Sequence, residues 1–82
     1  METRVAVISI IVENAESVAR LNELLHEYGE YIISRMGIPY RAKGINIISV
    51  AIDAPQDKIN SLTGLIGKLD GVSAKAAYSK LN

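Results

Sequence analysis

The residues best suited to chemistry in this 82-residue chain fall in three places. The densest is Arg35-Met36-Gly37-Ile38-Pro39-Tyr40-Arg41-Ala42-Lys43-Gly44, read as a loop between two antiparallel strands, with three cations, two glycines, a proline and a tyrosine. Arginine offers a planar fork of donors suited to a carboxylate or phosphate, and tyrosine offers a stacking face, so the segment can grip an anion or a partner. A long hairpin with solvated charges accounts for the same residues. The second place is Glu13-Asn14-Ala15-Glu16-Ser17, just ahead of a helix, where free N–H groups and the helix dipole can receive a small anion. Asn14 acting only as a helix cap is the simpler account there. The third is His26, the sole histidine, which binds a metal only if an oligomer gathers several imidazoles or carboxylates complete the shell; a solvated rim histidine is its default role. The candidate ligand-binding residues are therefore Asn14, Ala15, Glu16, Ser17, Arg35, Gly37, Tyr40 and Arg41. There is no phosphate loop, nucleotide-binding glycine fingerprint, nucleophile elbow or histidine pair, so neither catalysis nor a cofactor is expected.

Composition narrows the setting for these residues. One domain spanning residues 1–82 is expected from an 8.9 kDa chain. Nine basic and nine acidic residues supply no excess positive field, which disfavours direct nucleic-acid binding. Hydrophobic residues make up 49% and cysteine is absent, which excludes disorder, a disulfide scaffold and cysteine-based metal sites. The apolar run Val5 to Val12 falls far short of the roughly 20 residues that span a bilayer and leads to no cleavage site. A cytoplasmic protein with no membrane attachment is expected. The charges are uneven: residues 1–34 hold six acids against two bases, and residues 35–82 hold three against seven. Oppositely charged halves favour self-association.

The elements that position the candidate residues come in two similar halves. Ile8-Ser9-Ile10-Ile11-Val12-Glu13-Asn14-Ala15 aligns with Ile48-Ser49-Val50-Ala51-Ile52-Asp53-Ala54-Pro55 at a separation of forty residues. Each copy is an apolar run ending in an acid and a helix-start signal, followed by an amphipathic segment, a glycine and another strand-like run. In the first segment Asn14 serves as N-cap, Val18, Leu21, Leu25 and Tyr28 recur at helical spacing, and Gly29 suits a left-handed helix end. The second opens at Pro55, carries Ile59, Leu62, Ile66 and Leu69 on one face, and stops at Asp70-Gly71. Gly64 and Gly67 weaken that helix and lie off its apolar stripe. Residues 28–36 read as a strand because Gly29 and the pair Ile32-Ile33 disfavour a helix.

Strand faces then set the topology. Ala6, Ile8, Ile10 and Val12 make one face of the first strand, while Val5, Val7, Ser9 and Ile11 make another nearly as apolar. The strand from Ile45 to Asp53 behaves likewise, as central strands do. The last strand, Val72 to Lys80, alternates toward polar residues, as an edge does. A split βαββαβ chain of order 4-1-3-2 puts the first and third strands at the centre. Its two helices cover one sheet face, so the other is expected to meet a second copy in a homo-oligomer, dimer or tetramer, through that face or the sheet edges.

With these two βαβ halves the chain resembles the ACT-like ligand-binding domains. The resemblance includes the turn Val12-Glu13-Asn14-Ala15-Glu16-Ser17-Val18-Ala19-Arg20-Leu21, where a strand runs through an Asn-containing turn into a helix. Ala15, Glu16 and Ser17 replace the small, Pro and Gly features usual there. The stretch Ser34-Arg35-Met36-Gly37-Ile38-Pro39-Tyr40-Arg41, followed by Gly44, Ile47-Ile48-Ser49-Val50, Asp53-Ala54-Pro55 and Gly71-Val72-Ser73, is more specific and resembles the small regulators of the iron-only hydrogenase system over nearly the whole chain. The resemblance implies an α+β, ferredoxin-like (ACT-like) four-stranded antiparallel sheet with two helices on one face, and a regulatory role. That fold is also similar to the C-terminal domain of nickel-responsive repressors, which form tetramers and bind nickel through several His and one Cys. This sequence has one His and no Cys, and no ribbon-helix-helix DNA-binding segment occurs in it. The resulting expectation is an oligomeric domain that binds a small-molecule effector or a regulatory protein partner. A ligand-free structural adaptor and a metal sensor using His26 are the alternatives.

Overall fold

The computed structural model describes residues 2–80. Strand β1 (Arg4–Val12) leads through a short 3-10 turn (Ala15–Ser17) into helix α1 (Val18–Glu27). A second 3-10 turn (Gly29–Tyr31) precedes strand β2 (Ile32–Tyr40), and a third (Arg41–Lys43) precedes strand β3 (Ile45–Ala54). Helix α2 (Gln56–Gly67) and strand β4 (Val72–Tyr78) complete the fold. The four strands form one sheet in the order β2-β3-β1-β4, with every neighbouring pair antiparallel. This is the expected order read from the opposite edge.

The alternation in β1 decides which face is filled. Ala6, Ile8, Ile10 and Val12 are at most 1% exposed and pack with Ile48, Val50 and Ile52 of β3 beneath the helices. From α1 come Leu21, Leu24 and Leu25, and from α2 Ile59, Leu62 and Ile66, all at the three- and four-residue spacings of a helical stripe. Burying each of these aliphatic side chains contributes roughly 1.5–3 kcal/mol before ordering costs. On the outer face of α1, Arg20 reaches Glu23 at 3.1 Å and Glu27 at 3.3 Å; its hydrogen bonds to the two carboxylates raise its pKa above the ordinary arginine value. Gly64 and Gly67 are exposed on α2, and a methyl group at either would meet nothing within 4 Å.

The middle of the chain departs from expectation. Gly29 is not left-handed; positive φ occurs at Gly44 (65°) and Gly71 (69°). The chain leaves α1 through the 3-10 turn Gly29–Tyr31, and β2 starts at Ile32 rather than at residue 28. It then runs on to Tyr40, so most of the segment read as the 35–44 loop is strand, and the turn proper is Arg41–Lys43 closed by left-handed Gly44. Pro39 is compatible with this because an edge strand pairs on one side only, and every second N–H faces away from its partner. A bulge interrupts the β2–β3 register: Ile32 pairs with Ile52, but Ser34 already pairs with Ala51. The extra residue reverses which side chains face the helices.

Candidate functional site

That bulge sorts the predicted binding residues onto two sides of the sheet. Beyond it Arg35 lies opposite Val50, Gly37 opposite Ile48, and Pro39 opposite Asn46, on the side that the helices cover. There the Arg35 guanidinium Nη2 donates to Asn22 Oδ1 of α1 at 3.0 Å. Val18 and Asn22 of α1, Arg35 and Pro39 of β2, and Asn46 and Ile48 of β3 wall a groove of about 180 Å³. A β-carbon at Gly37 would come 3.8 Å from Ile48 Cγ1, so glycine leaves the groove floor open without being required by contact. Arg35 is the only ionisable residue in the lining.

The turn at 14–17 adjoins this groove through Val18, and its polar groups are engaged within the chain. Asn14 Oδ1 accepts from the Glu16 N–H at 3.0 Å, the capping role expected of it, here opening the 3-10 turn that runs into α1. Its Nδ2 donates to Asp70 Oδ2 at 2.7 Å. Ser17, 8% exposed, donates Oγ–H to the Asp70 carbonyl at 2.6 Å, and the Glu13 N–H reaches the Gly71 carbonyl at 2.7 Å. The α2–β4 turn therefore latches onto the β1–α1 turn. Ala15 and Glu16 are exposed beside the latch. In the sequence Asp70-Gly71 reads only as a helix stop; the pairing across 56 residues carries no local signal. Asn22 and Asn46 likewise do not stand out there as site residues, although Asn46 continues the covered-face alternation of Ile48, Val50 and Ile52.

Tyr40 lies on the other side of the sheet. It is paired with Ile45, while Met36 and Ile38 of the same strand are paired with Ser49 and Ile47. With Val5, Val7 and Ile11 of β1 they form an apolar surface that no helix covers, each at least 39% exposed. Ser9, Ser49, Asp53 and Lys75 punctuate it. Arg41 sits in the exposed β2–β3 turn. Arg35 and Gly37 thus share one site, and Tyr40 and Arg41 belong to a different surface. His26 is exposed on α1, and among the described residues no three His, Asp or Glu side chains are grouped as a metal shell would require. Among them no helix is long and apolar enough to cross a membrane.

Residues 4–76 match a family model described as "Iron-only hydrogenase system regulator, putative". The chain belongs to this iron-only hydrogenase system regulator family. Among solved structures it is similar to the uncharacterized protein TM1266 from Thermotoga maritima, with 32% identity over 96% of this chain and 100% of that one, at a TM-score of 0.92. The ACT domain of a GTP pyrophosphokinase from Chlorobium tepidum shares 18% identity over 92% and 99% of the two chains, at a TM-score of 0.78. A formyltetrahydrofolate deformylase from Pseudomonas putida KT2440 shares 13% identity over 89% of this chain and 28% of its own length, at 0.64. No curated protein matches in sequence. The ACT-domain structure establishes the ACT-like fold, and the family match sets a hydrogenase-associated regulatory context. The matched span contains both the groove and the open sheet face of this family member.

Proposed function

We propose that this regulator is a non-catalytic sensing domain that assembles with copies of itself through the open sheet face and binds a small effector beside the β1–α1 turn and Arg35. The observation that carries the reading is the open face itself. Val5, Val7, Ile11, Met36, Ile38, Tyr40 and Ile47 account for seven of the nine large hydrophobics exposed among the described residues. A contiguous apolar patch of this kind marks an interaction surface, and a symmetric copy of the same chain is the simplest complement. An effector in the groove alters assembly or a regulatory protein partner to the extent that it binds one state more tightly than the other. The balanced charge of the chain favours a protein rather than DNA as the recipient of that response.

Native mass spectrometry of protein purified from its own host tests both parts. The expected result is a dimer or tetramer carrying an added small-molecule mass. Ile11→Lys together with Met36→Lys is expected to convert the oligomer to monomer with an unchanged far-UV spectrum; a wild-type monomer at every accessible concentration overturns the assembly. A structural adaptor is the second reading, favoured by the engagement of Asn14 and Ser17 with Asp70. An oligomer with no added mass, and no rise in melting temperature with amino acids, nucleotides or metals, decides for the adaptor, because any ligand of the native state must raise it.

A further inference from the structure

We infer that the groove between α1 and β2 takes a small aliphatic monocarboxylate lacking an ammonium group, such as a hydroxy acid, an oxo acid or a short fatty acid. The inference rests on the effector-binding reading above and specifies its ligand. Charge gives the first step. The one ionisable side chain in the lining is Arg35, so the groove presents a single positive charge and attracts a single negative one.

Geometry gives the second step. Arg35 uses one nitrogen on Asn22 Oδ1, which orients the guanidinium and leaves further N–H donors for a carboxylate, a match that can be bidentate. The Asn22 amide, whose oxygen is thereby occupied, has its NH₂ left to donate. The Asn46 carboxamide stands across the groove on β3 and can meet a hydroxyl or keto oxygen. Val18, Pro39 and Ile48 provide the apolar walls. The groove is small, about 180 Å³, which favours a short carboxylate over a bulky one. Propionate, lactate and pyruvate are of this kind.

The same inventory disfavours an α-amino acid. Its ammonium would enter a groove without any lining carboxylate, next to the guanidinium that holds its own carboxylate. A charge brought out of water without a partner is costly, whereas a hydroxyl or keto oxygen needs only a hydrogen bond.

Titration of the ¹⁵N-labelled full chain with propionate, L-lactate, L-alanine and inorganic phosphate, read from backbone amide shifts, tests the assignment. Propionate and lactate are expected to shift the amides of Asn22, Arg35, Gly37 and Asn46 in a saturable way, with alanine weaker by about tenfold or more. Arg35 is exposed, so Arg35→Gln retains the fold and is expected to lose carboxylate binding by at least about tenfold. Asn46→Asp is expected to weaken lactate and narrow the gap to alanine by supplying the missing negative charge. Alanine or phosphate binding as tightly as lactate, with dependence on Arg35, overturns the ligand class and leaves the groove as an effector site. Unchanged lactate affinity in Arg35→Gln overturns the role of the guanidinium. No shift with any of the four probes overturns this inference, while the effector reading itself is decided by the native mass and melting-temperature measurements.

Discussion

Ile8 and Ile11 lie three residues apart on β1, yet Ile8 is completely buried and Ile11 is 42% exposed. The difference comes from neither propensity nor strand position, since both occupy the central strand beside β3 and β4. It comes from the two helices, which seal one face of the sheet and leave the other bare. On the covered face the hydrophobic effect drives folding of the chain. On the open face the same chemistry is held in reserve, and its free energy is realised only when a second surface excludes the water. The groove is an intermediate case at the margin of the covered face, where the first turns of α1 face the edge strand β2 and Asn22, Arg35 and Asn46 stand beside the aliphatic Val18 and Ile48.

The largest effect that would break this contrast is at Ile8. Ile8→Ala removes a fully buried side chain from the middle of the core and is expected to destabilise the chain by about 2–5 kcal/mol, read from the urea midpoint at constant m-value. A loss below about 1 kcal/mol would mean that the covered face is loosely packed and that burial there is not what separates the two sides.

A smaller effect is expected where the latch closes the end of the covered side. Gly71 has φ of 69°, and a β-carbon on it would fall 2.6 Å from Asn14 Cβ and 3.0 Å from the Asn14 backbone nitrogen. Gly71→Ala therefore combines a left-handed backbone with a collision against main chain, and a loss of about 1–3 kcal/mol is expected. The exposed helical Gly64 is the internal control: its alanine variant meets open space and is expected to gain about 0.4–1 kcal/mol. Equal effects at the two glycines would show that the latch between the Asp70-Gly71 and Asn14-Ser17 turns is not a constraint on the fold.

What the sequence made legible follows the same division. Both helices and both central strands announce themselves, because Leu21, Leu25, Ile59, Leu62 and Ile66 recur at helical spacing and β1 and β3 are apolar on both faces. The fold class and strand order then follow from the forty-residue repeat. The edge strand β2 was harder to read. Gly37 and Pro39 are turn residues nearly everywhere except on an edge, and the bulge after Ile32 reverses the alternation partway along. For the candidate site this decided which residues group together. Arg35 and Tyr40 look like neighbours in one loop but fall on opposite sides of the sheet, while Asn22 and Asn46 join Arg35 from elements distant in sequence. Nothing in a local pattern encodes the capture of Asn14 and Ser17 by Asp70, since that contact exists only once the two halves have packed.

The smallest expected effect is also the most discriminating. Ile11→Ala removes the same atoms as Ile8→Ala from the same strand, but from a side chain that keeps 42% of its surface in water. In an isolated chain no cavity forms, the transfer loss is partial, and the cost is expected to stay within about 1 kcal/mol. Assembly through the open face changes this, because a residue buried against a second copy contributes to the apparent stability by mass action. The urea midpoint of the wild type should then rise with protein concentration, and the deficit of Ile11→Ala should grow with it, while the deficit of Ile8→Ala stays constant. A concentration-independent difference between wild type and Ile11→Ala would leave the open face as a surface that copies of this chain do not use, and its apolar character would have to be explained by another partner.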